Sequence, residues 1–271
     1  MTLHTRDFGR VDVSLTTIAA RLAGVARTLT SLLNQSYANL RIHLYISHDP
    51  HLLDTGITDL TPEIQGLVDG SGGRLVVHRC PNWGPYRKLL PYLRANWGQS
   101  RLVATADDDT EYPETWLETL LEAYDAHGCV IAYRGHLLSV ENGAVAPYRN
   151  WMRRQIEESP SRLILPTGKD GVLYDTAFFP MGVLDIATAL RIAPTVDDLW
   201  FRWHLALNHI PTHLINVDYT SGSFQESDSG GGSLYLGYNL GGGNDGAIAA
   251  LEAHFRETYD FSITDLAPPE S

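Results

Sequence analysis

The chain has little cysteine: two residues, Cys80 and Cys129, in a sequence of 271. They lie far apart and lack the spacing of metal-ligand pairs, and two thiols do not make a disulfide framework in a chain of this size. The sequence therefore gives no support for a cysteine-bound metal or an extracellular disulfide scaffold, and a reducing cytoplasm is the expected location.

Long apolar runs are also missing. No run approaches the roughly 20 residues that a membrane-spanning helix needs, and the first ten residues, MTLHTRDFGR, lack the apolar core of a signal peptide. We expect a soluble, cytoplasmic protein without a transmembrane segment, and the sequence leaves peripheral contact with the inner membrane face open.

Basic residues are scarce as well. Lys and Arg number 20 against 32 Asp and Glu, which gives a formal net charge of −12. A surface of this sign repels a phosphate backbone, so nucleic acid is not an expected partner. A local basic pocket for one phosphorylated small molecule remains compatible, because net charge does not describe a cleft.

What the sequence does contain is an alternation of strand and helix patterns. The hydrophobic fraction of 44% suits one large core, and we expect a single domain over residues 1–271. The first half predicts strands at 11–17, 40–47, 74–79, 101–107 and 129–135, and helices at 18–35, 85–97 and 113–127. This order predicts an α/β fold with a mostly parallel sheet flanked by helices, and ligands bind such sheets outside the carboxyl ends of the strands.

The second half is less regular. Residues 137–179 show weak periodicity and many aromatics, which indicates mixed loops and short strands. A helix is predicted at 197–209 and a strand at 212–219. Ser227–Gly246 contains two GGG runs and either folds over a ligand or links to a terminal helix at 247–259.

Three consecutive carboxylates end the fourth predicted strand, in LVATADDDTEYPETW. Side chains alternate along a strand, so Asp107 and Asp109 are expected to point the same way and Asp108 the other. Two carboxylates on one side make half of a site for Mg²⁺ or Mn²⁺, which takes its other ligands from water and phosphate oxygens. The alternative is a solvated acidic turn in which Asp109 or Thr110 caps the next helix.

At this point the chain resembles the GT-A glycosyltransferases, in particular family-2-like bacterial enzymes of surface and capsular polysaccharide assembly. ATADDDTEYPETWL resembles their strand, D-x-D and aromatic-Pro pattern. Further segments resemble the family in the same order, namely SLTTIAARL, GPYRKLLPYL, TGKDGVLYD, TVDDLWFRW and NLGGGND. The resemblance implies a GT-A (Rossmann-like) domain whose residues 1–135 bind a nucleotide sugar and whose residues 136–271 face the acceptor.

The family resemblance also implies an activity and its partners. The expected reaction moves a sugar from a nucleoside diphosphate donor, UDP-linked by expectation, to a hydroxyl of an oligosaccharide or lipid-linked glycan, with Mn²⁺ or Mg²⁺ as cofactor. By the same resemblance Asp109 binds the metal directly, and Asp107 contacts the metal or the donor ribose. Asp108 belongs to the donor-binding set, mainly as support for the turn.

Four more donor-side residues precede the aspartates. Thr16 and Arg21 follow the first strand, where hydroxyl and guanidinium groups meet a nucleotide in the resembling enzymes. Ser47 ends the second strand near the expected base or ribose, and Lys88 is the expected diphosphate contact. The alternatives are solvated charges for Arg21 and Lys88 and a plain turn around Ser47.

The acceptor side offers an acidic pair in TVDDLWF. An inverting transferase needs a base to remove the proton of the acceptor hydroxyl, and resembling enzymes place it here, so we expect Asp198 in that role ahead of Asp197. The alternative is structural: Thr195 and Asp198 have the spacing of a helix capping box.

Other readings stay open. Asn244 and Asp245, after the second GGG run, either close over donor or metal or form a turn. His204, on the helix of the acidic pair, is not assigned a role. A retaining enzyme of the same fold, a nucleotidyltransferase and a non-catalytic carbohydrate-binding module are the competing functions.

Overall fold

The fold was obtained as a computed structural model, which describes residues 7–152, 154–217, 224–226, 237–238 and 242–267. Its strands are β1 (Val11–Thr16), β2 (Leu40–Ile46), β3 (Leu75–Arg79), β4 (Leu102–Thr105), β5 (Thr110–Glu111), β6 (Val130–Ala132), β7 (Gly135–Leu137), β8 (Val140–Glu141), β9 (Ala144–Val145), β10 (Ile164–Pro166), β11 (Val172–Asp175), β12 (Thr212–Leu214) and β13 (Gln225–Glu226). Its α-helices are α1 (Val25–Leu33), α2 (Pro62–Gly70), α3 (Leu90–Ala95), α4 (Trp116–His127), α5 (Tyr148–Trp151), α6 (Ile186–Ile192), α7 (Asp197–Leu207) and α8 (Asn244–Tyr259).

A seven-stranded sheet forms the centre, in the order β12-β6-β11-β4-β1-β2-β3. All neighbours pair in parallel except β11, which is antiparallel to both β4 and β6. This confirms the predicted α/β class and the mostly parallel sheet. The carboxyl ends of β1 to β4 therefore meet at one edge, where ligands bind in sheets of this kind.

Two apolar layers cover the faces of the sheet. On one face α1 packs through Val25, Leu29 and Leu32. On the other face α7 contributes Trp200 and Trp203, both fully buried. The strands carry apolar residues toward both layers, although β1 also contains the buried polar residues Asp12 and Ser14.

Two predicted helices are interrupted. The helix expected at 18–35 is a 3-10 turn at Ala19–Arg21 followed, after a break, by α1. The helix expected at 85–97 is a 3-10 segment at Gly84–Lys88 followed by α3, which has Pro91 in its first turn. Proline lacks an N–H and is accepted at a helix start but not in its interior, so a helix begins anew there.

Within the described ranges, no helix is long and apolar enough to cross a bilayer. Both cysteines are free thiols, with Cys129 buried and Cys80 half-buried.

Candidate active site

The three aspartates form a turn beyond the end of β4 rather than part of the strand. Asp108 points inward and is 6% exposed, and its carboxylate accepts hydrogen bonds from the Thr17 hydroxyl at 2.6 Å and Arg21 Nη1 at 2.8 Å. The side chains of Asp107 and Asp109 stay about a quarter exposed. All three aspartates line the cleft, and the anchoring of Asp108 makes it less exposed than its two neighbours.

A cleft of about 550 Å³ opens at this turn, along the carboxyl ends of β1 to β4. Its charged lining consists of the acids Asp54, Asp107, Asp108, Asp109, Asp197 and Glu226 and the bases Arg21, Arg87, Lys88 and Lys169. Four bases against six acids leave a formal charge of −2. The excess of acidic residues favours a bound cation in the cleft.

Lys88 occupies the middle of the cleft and forms an ion pair with Asp107. Burial lowers the pKa of its ammonium, but the carboxylates of Asp107, Asp197 and Asp198 outweigh burial and hold that pKa above the usual value. Lys88 is therefore charged, and it stands between the aspartate turn and the acidic pair of α7.

Asp109 lies among other carboxylates, which makes its own negative charge unfavourable. Burial first, and then the neighbouring Asp107 and Asp108, raise the pKa of Asp109 to about 6, although Arg21 Nη1 lies 3.2 Å from its Oδ2 and opposes the shift. A bound cation would relieve this repulsion. Carboxylate oxygens suit Mg²⁺ or Mn²⁺, so the residues fit the expected ion.

The protein offers only part of a metal coordination shell. No cluster of three or more His, Cys, Asp or Glu is arranged to hold a metal in the part of the chain that the structure describes. The two carboxylates of the turn fit a site whose remaining ligands are water and diphosphate oxygens, a pattern that Mg²⁺ accepts.

The acidic pair lies in the first turn of α7. The helix has Val196 as its N-cap and no side-chain cap, so the capping-box alternative for Asp198 is wrong. Asp198 Oδ2 instead accepts the backbone N–H of Gly168 at 3.0 Å. Burial and the adjacent Asp197 raise the pKa of Asp198 to about 7 while Lys88 opposes them, and burial also raises the pKa of Asp197. A carboxyl group with a pKa near neutrality suits a general base.

Of the two other predicted donor residues, Thr16 lines the cleft and Ser47 does not. Thr16 lines the cleft, and its hydroxyl donates to the carbonyl oxygen of Tyr45 at 2.8 Å. Ser47 is fully buried and does not line the cleft, and its hydroxyl oxygen accepts the N–H of Asp49 at 3.1 Å. The structure thus supports the turn alternative for Ser47. The other predicted site residues line the cleft except Asp198, which is not in its lining and contacts the Gly168 N–H.

A buried ion pair at the cleft wall was missed by sequence reasoning. Arg87 Nη2 lies 2.9 Å from Asp54 Oδ2, and both side chains are at most 2% exposed. Asp54 also accepts the Ala19 N–H at 3.0 Å and the Asn82 amide at 3.1 Å. It ties together the loops that follow β1, β2 and β3. A second missed pair, Lys169 with Glu226 at 2.6 Å, lines the same cleft.

The remaining candidates lie elsewhere. His204 is fully buried beside the Trp200 and Phe255 rings, and burial lowers its pKa to about 3, so it is a core residue. Asn244 and Asp245 begin α8 and do not line the cleft; Asp245 accepts the Tyr148 N–H at 2.7 Å. Of the Gly-rich segment, 227–236 and 239–241 lie outside the described residues.

Fold and site together define a class: α/β proteins with an aspartate turn and a basic residue at the carboxyl edge of the parallel strands. A sequence profile of one such family, "Glycosyl transferase family 2", matches residues 20–181, more than half of the chain. The chain therefore belongs to glycosyl transferase family 2, whose members are sugar-transferring enzymes. This confirms the expected family, the GT-A fold and the enzyme class.

Solved structures agree on the fold. Over 95% of this chain the structure of S. aureus TarS superposes with a TM-score of 0.55 at 16% identity, and the TarS 1–349 structure superposes over 93% with 0.50 at 16%. A mannosyltransferase from Pyrobaculum calidifontis superposes over 95% of this chain and 78% of its own, with 0.43 at 15% identity. The chain spans 41% of the first TarS structure and 73% of the second. At 16% identity the two TarS superpositions show the fold alone, and no curated protein sequence matches the chain.

Proposed function

We propose that the chain is a metal-dependent, inverting glycosyltransferase. Its proposed donor is a nucleoside diphosphate sugar, with UDP as the expected nucleotide. One observation carries the proposal. Lys88 contacts Asp107 of the aspartate turn and lies within electrostatic reach of Asp197 and Asp198, which supports a diphosphate site with a base beside it.

The charge of the cleft supports the metal. A diphosphate would add negative charge to a lining that already has a formal charge of −2. Bound at Asp107 and Asp109, Mn²⁺ or Mg²⁺ would offset that charge and stabilise the leaving diphosphate.

The protein's own groups account for donor positioning. The Lys88 ammonium is a compact positive charge suited to a diphosphate oxygen. Arg21 binds Asp108 and Asp109 at once, at 2.8 and 3.2 Å, and so holds the turn with one carboxylate buried and the other presented to the cleft. Binding of the metal and the diphosphate would exchange the present ion pairs of Asp107 with Lys88 and of Asp109 with Arg21 for contacts to the ion and the donor.

Asp198 is the proposed base. As the acceptor oxygen bonds to the anomeric carbon and the bond to the diphosphate breaks, Asp198 takes the proton of the acceptor hydroxyl. The Gly168 N–H binds one oxygen of the carboxylate and leaves the other for the acceptor. A retaining enzyme needs no such base, so substantial activity in Asp198→Asn would favour retention.

The acceptor is proposed as an oligosaccharide or a lipid-linked glycan of a bacterial surface polysaccharide, glycosylated at the cytoplasmic face of the membrane. Membership of glycosyl transferase family 2 and the resemblance of the ordered motifs to polysaccharide-assembly enzymes support this. We treat residues 1–271 as one catalytic domain, since the cleft takes Lys88 and Asp107 from the first half and Lys169 and Asp197 from the second.

Thermal unfolding with UDP, GDP, CDP, TDP and ADP, each with and without Mn²⁺, tests the donor site. Saturation at 100 times the dissociation constant stabilises the folded state by about 2.7 kcal/mol. That raises Tm by roughly 5 to 11 °C for a chain of this size. We expect such a rise for one nucleotide, with metal only.

Two variants separate specific from general effects. Asp109→Asn should abolish the metal-dependent rise, and Asp59→Asn, which changes an exposed aspartate outside the cleft, should keep it. No rise with any nucleotide, or the same rise in Asp109→Asn, would overturn the donor site.

A further inference from the structure

An aromatic pair joins the two sides of the cleft. Tyr112 and Trp116 follow the aspartate turn in the chain, and they are 4% and 0% exposed. Their ring centroids lie 4.4 Å apart with the planes inclined by 46°. Each ring carries one polar group, and the two polar groups contact different loops of the cleft.

Tyr112 contacts the aspartate turn. Its hydroxyl oxygen accepts the backbone N–H of Asp107 at 2.7 Å. Its own backbone N–H donates to Ser31 Oγ of α1 at 3.1 Å, which fixes the tyrosine against the helix. The position of the Asp107 backbone, and with it one of the two proposed metal carboxylates, therefore depends on this ring.

Trp116 contacts the turn between β10 and β11. Its indole N–H donates to the carbonyl oxygen of Asp170 at 2.8 Å. At Gly171, where φ is +104°, a Cβ would lie 2.6 Å from Trp116 Cζ2. The turn thus lies directly on the indole, and glycine is needed both for the conformation and for the close approach.

The same turn holds the proposed base. Asp170 is fixed from its other side by a buried ion pair with Arg134, both about 2% exposed, and by the Phe224 N–H at 3.2 Å. Gly168, two residues earlier, donates its N–H to Asp198 at 3.0 Å, and its carbonyl accepts the Gly171 N–H at 3.2 Å. A shift of the turn therefore changes where Asp198 points.

We propose that Trp116, with Tyr112 against it, is a positioning residue that sets the separation between the metal-binding turn and the base. The inference rests on the proposed roles of Asp107 and Asp198. The indole touches no reacting group, and it acts through the Asp170 carbonyl on one side and through Tyr112 on the other.

The proposal predicts a particular kinetic signature. Donor binding uses the aspartate turn and Lys88 but not Asp198, whereas the chemical step needs the bound donor and Asp198 correctly placed relative to each other. Because a misplacement near 1 Å can cost about 100-fold in rate, we expect Trp116→Phe to lower kcat by about 10- to 100-fold. The KM for the donor should change by less than about 3-fold.

A matched control is available in Trp151. It is also fully buried, and its indole N–H also donates to a backbone carbonyl, that of Ala146 at 2.9 Å. Trp151→Phe removes the same group in a region outside the cleft. Both variants are measured for Tm, for kcat and KM, and for hydrogen exchange of the backbone amides at 106–109 and 167–171.

The exchange measurement tests the coupling without any sugar transfer. Trp116→Phe should speed exchange in both segments, and Trp151→Phe in neither. Equal exchange in the two variants at 167–171, or faster exchange with unchanged kcat, would overturn the positioning role. If the wild type transfers no sugar, the proposed function fails, and the exchange result still decides whether the two loops are linked.

Tyr112→Phe removes a single hydroxyl and so keeps the test usable if Trp116→Phe folds poorly. It should lower kcat by about 10-fold. In the double variant the combined loss should be smaller than the product of the single losses, because both act through one contact. Multiplicative losses would show two independent effects and would refute the link.

Discussion

Asp198→Asn is the sharpest test of the mechanism, because it should change rate and stability in opposite directions. A general base supplies about 10²- to 10⁴-fold in rate, which is roughly 2.7 to 5.4 kcal/mol of transition-state stabilisation. The amide oxygen of asparagine can still accept the Gly168 N–H that now binds Asp198 at 3.0 Å. The loss is therefore that of the base and not of the loop contact.

The pH dependence follows from the same residue. The pKa of Asp198 is raised to about 7 by burial and by Asp197. The base works only when ionised, so kcat/KM in the wild type should rise tenfold per pH unit below about 7 and level off above it. The residual activity of Asp198→Asn should lack that limb.

The effect on stability has the opposite sign. The folded-state pKa of Asp198, about 7, lies above the ordinary value of 3.8, so the folded protein binds this proton more tightly than the unfolded chain. The contribution is therefore fully present below about pH 4 and is lost as the pH rises through 7. At pH 8 the neutral Asp198→Asn should have a higher Tm than the wild type by a few degrees.

Asp245→Asn is the matched control, because Asp245 is also a first-turn acid, on α8, and also accepts one backbone N–H, from Tyr148 at 2.7 Å. It should keep both kcat and the acidic limb. The assay is a donor-hydrolysis or transfer measurement from pH 5 to 9 beside thermal unfolding at each pH. If Asp198→Asn retains a third or more of wild-type kcat with the limb intact, the base is another residue or the enzyme retains configuration.

Two further variants probe the cleft. At Gly168 a Cβ would lie 2.9 Å from Lys88 Nζ, so Gly168→Ala should displace this flexible ammonium and lower kcat by about 10-fold with a small change in Tm; an unchanged kcat would show that Lys88 has room to spare. Asp54→Asn leaves Arg87 as an unpaired buried charge and should cost about 3 to 5 kcal/mol in urea-induced unfolding, whereas unchanged stability would mean that water solvates Arg87 there.

The sequence was sufficient for the features that depend on local pattern. Strand and helix periodicity places the acidic turn after a buried strand of an α/β sheet, and the structure has it there. That Asp107 and Asp109 share a side stays a prediction, and strand alternation is not its basis, because β4 ends at Thr105.

The features that were missed depend on contacts between distant residues. Arg87 and Asp54 are 33 residues apart, and nothing near either one in the sequence shows that they pair. The reversed direction of β11 is likewise set by its two neighbours in the sheet and not by its own composition. Residue patterns predict burial and turns, whereas the order of the strands determines which distant residues form ion pairs and which strands are neighbours.

The same distinction decides between the two readings of the acidic turn. A capped, solvated turn and a metal site both need aspartates after a strand, so the stretch alone cannot separate them. The distinction comes from residues far away in the sequence: Thr17 and Arg21, 91 and 87 residues from Asp108, bind that carboxylate, while the side chains of Asp107 and Asp109 stay about a quarter exposed in the cleft. Burial and adjacent like charge are unfavourable for Asp109, as its raised pKa shows. In a solvated turn the Asp109 carboxylate would not be destabilised in this way. In a cation site the bound ion offsets the repulsion among the carboxylates.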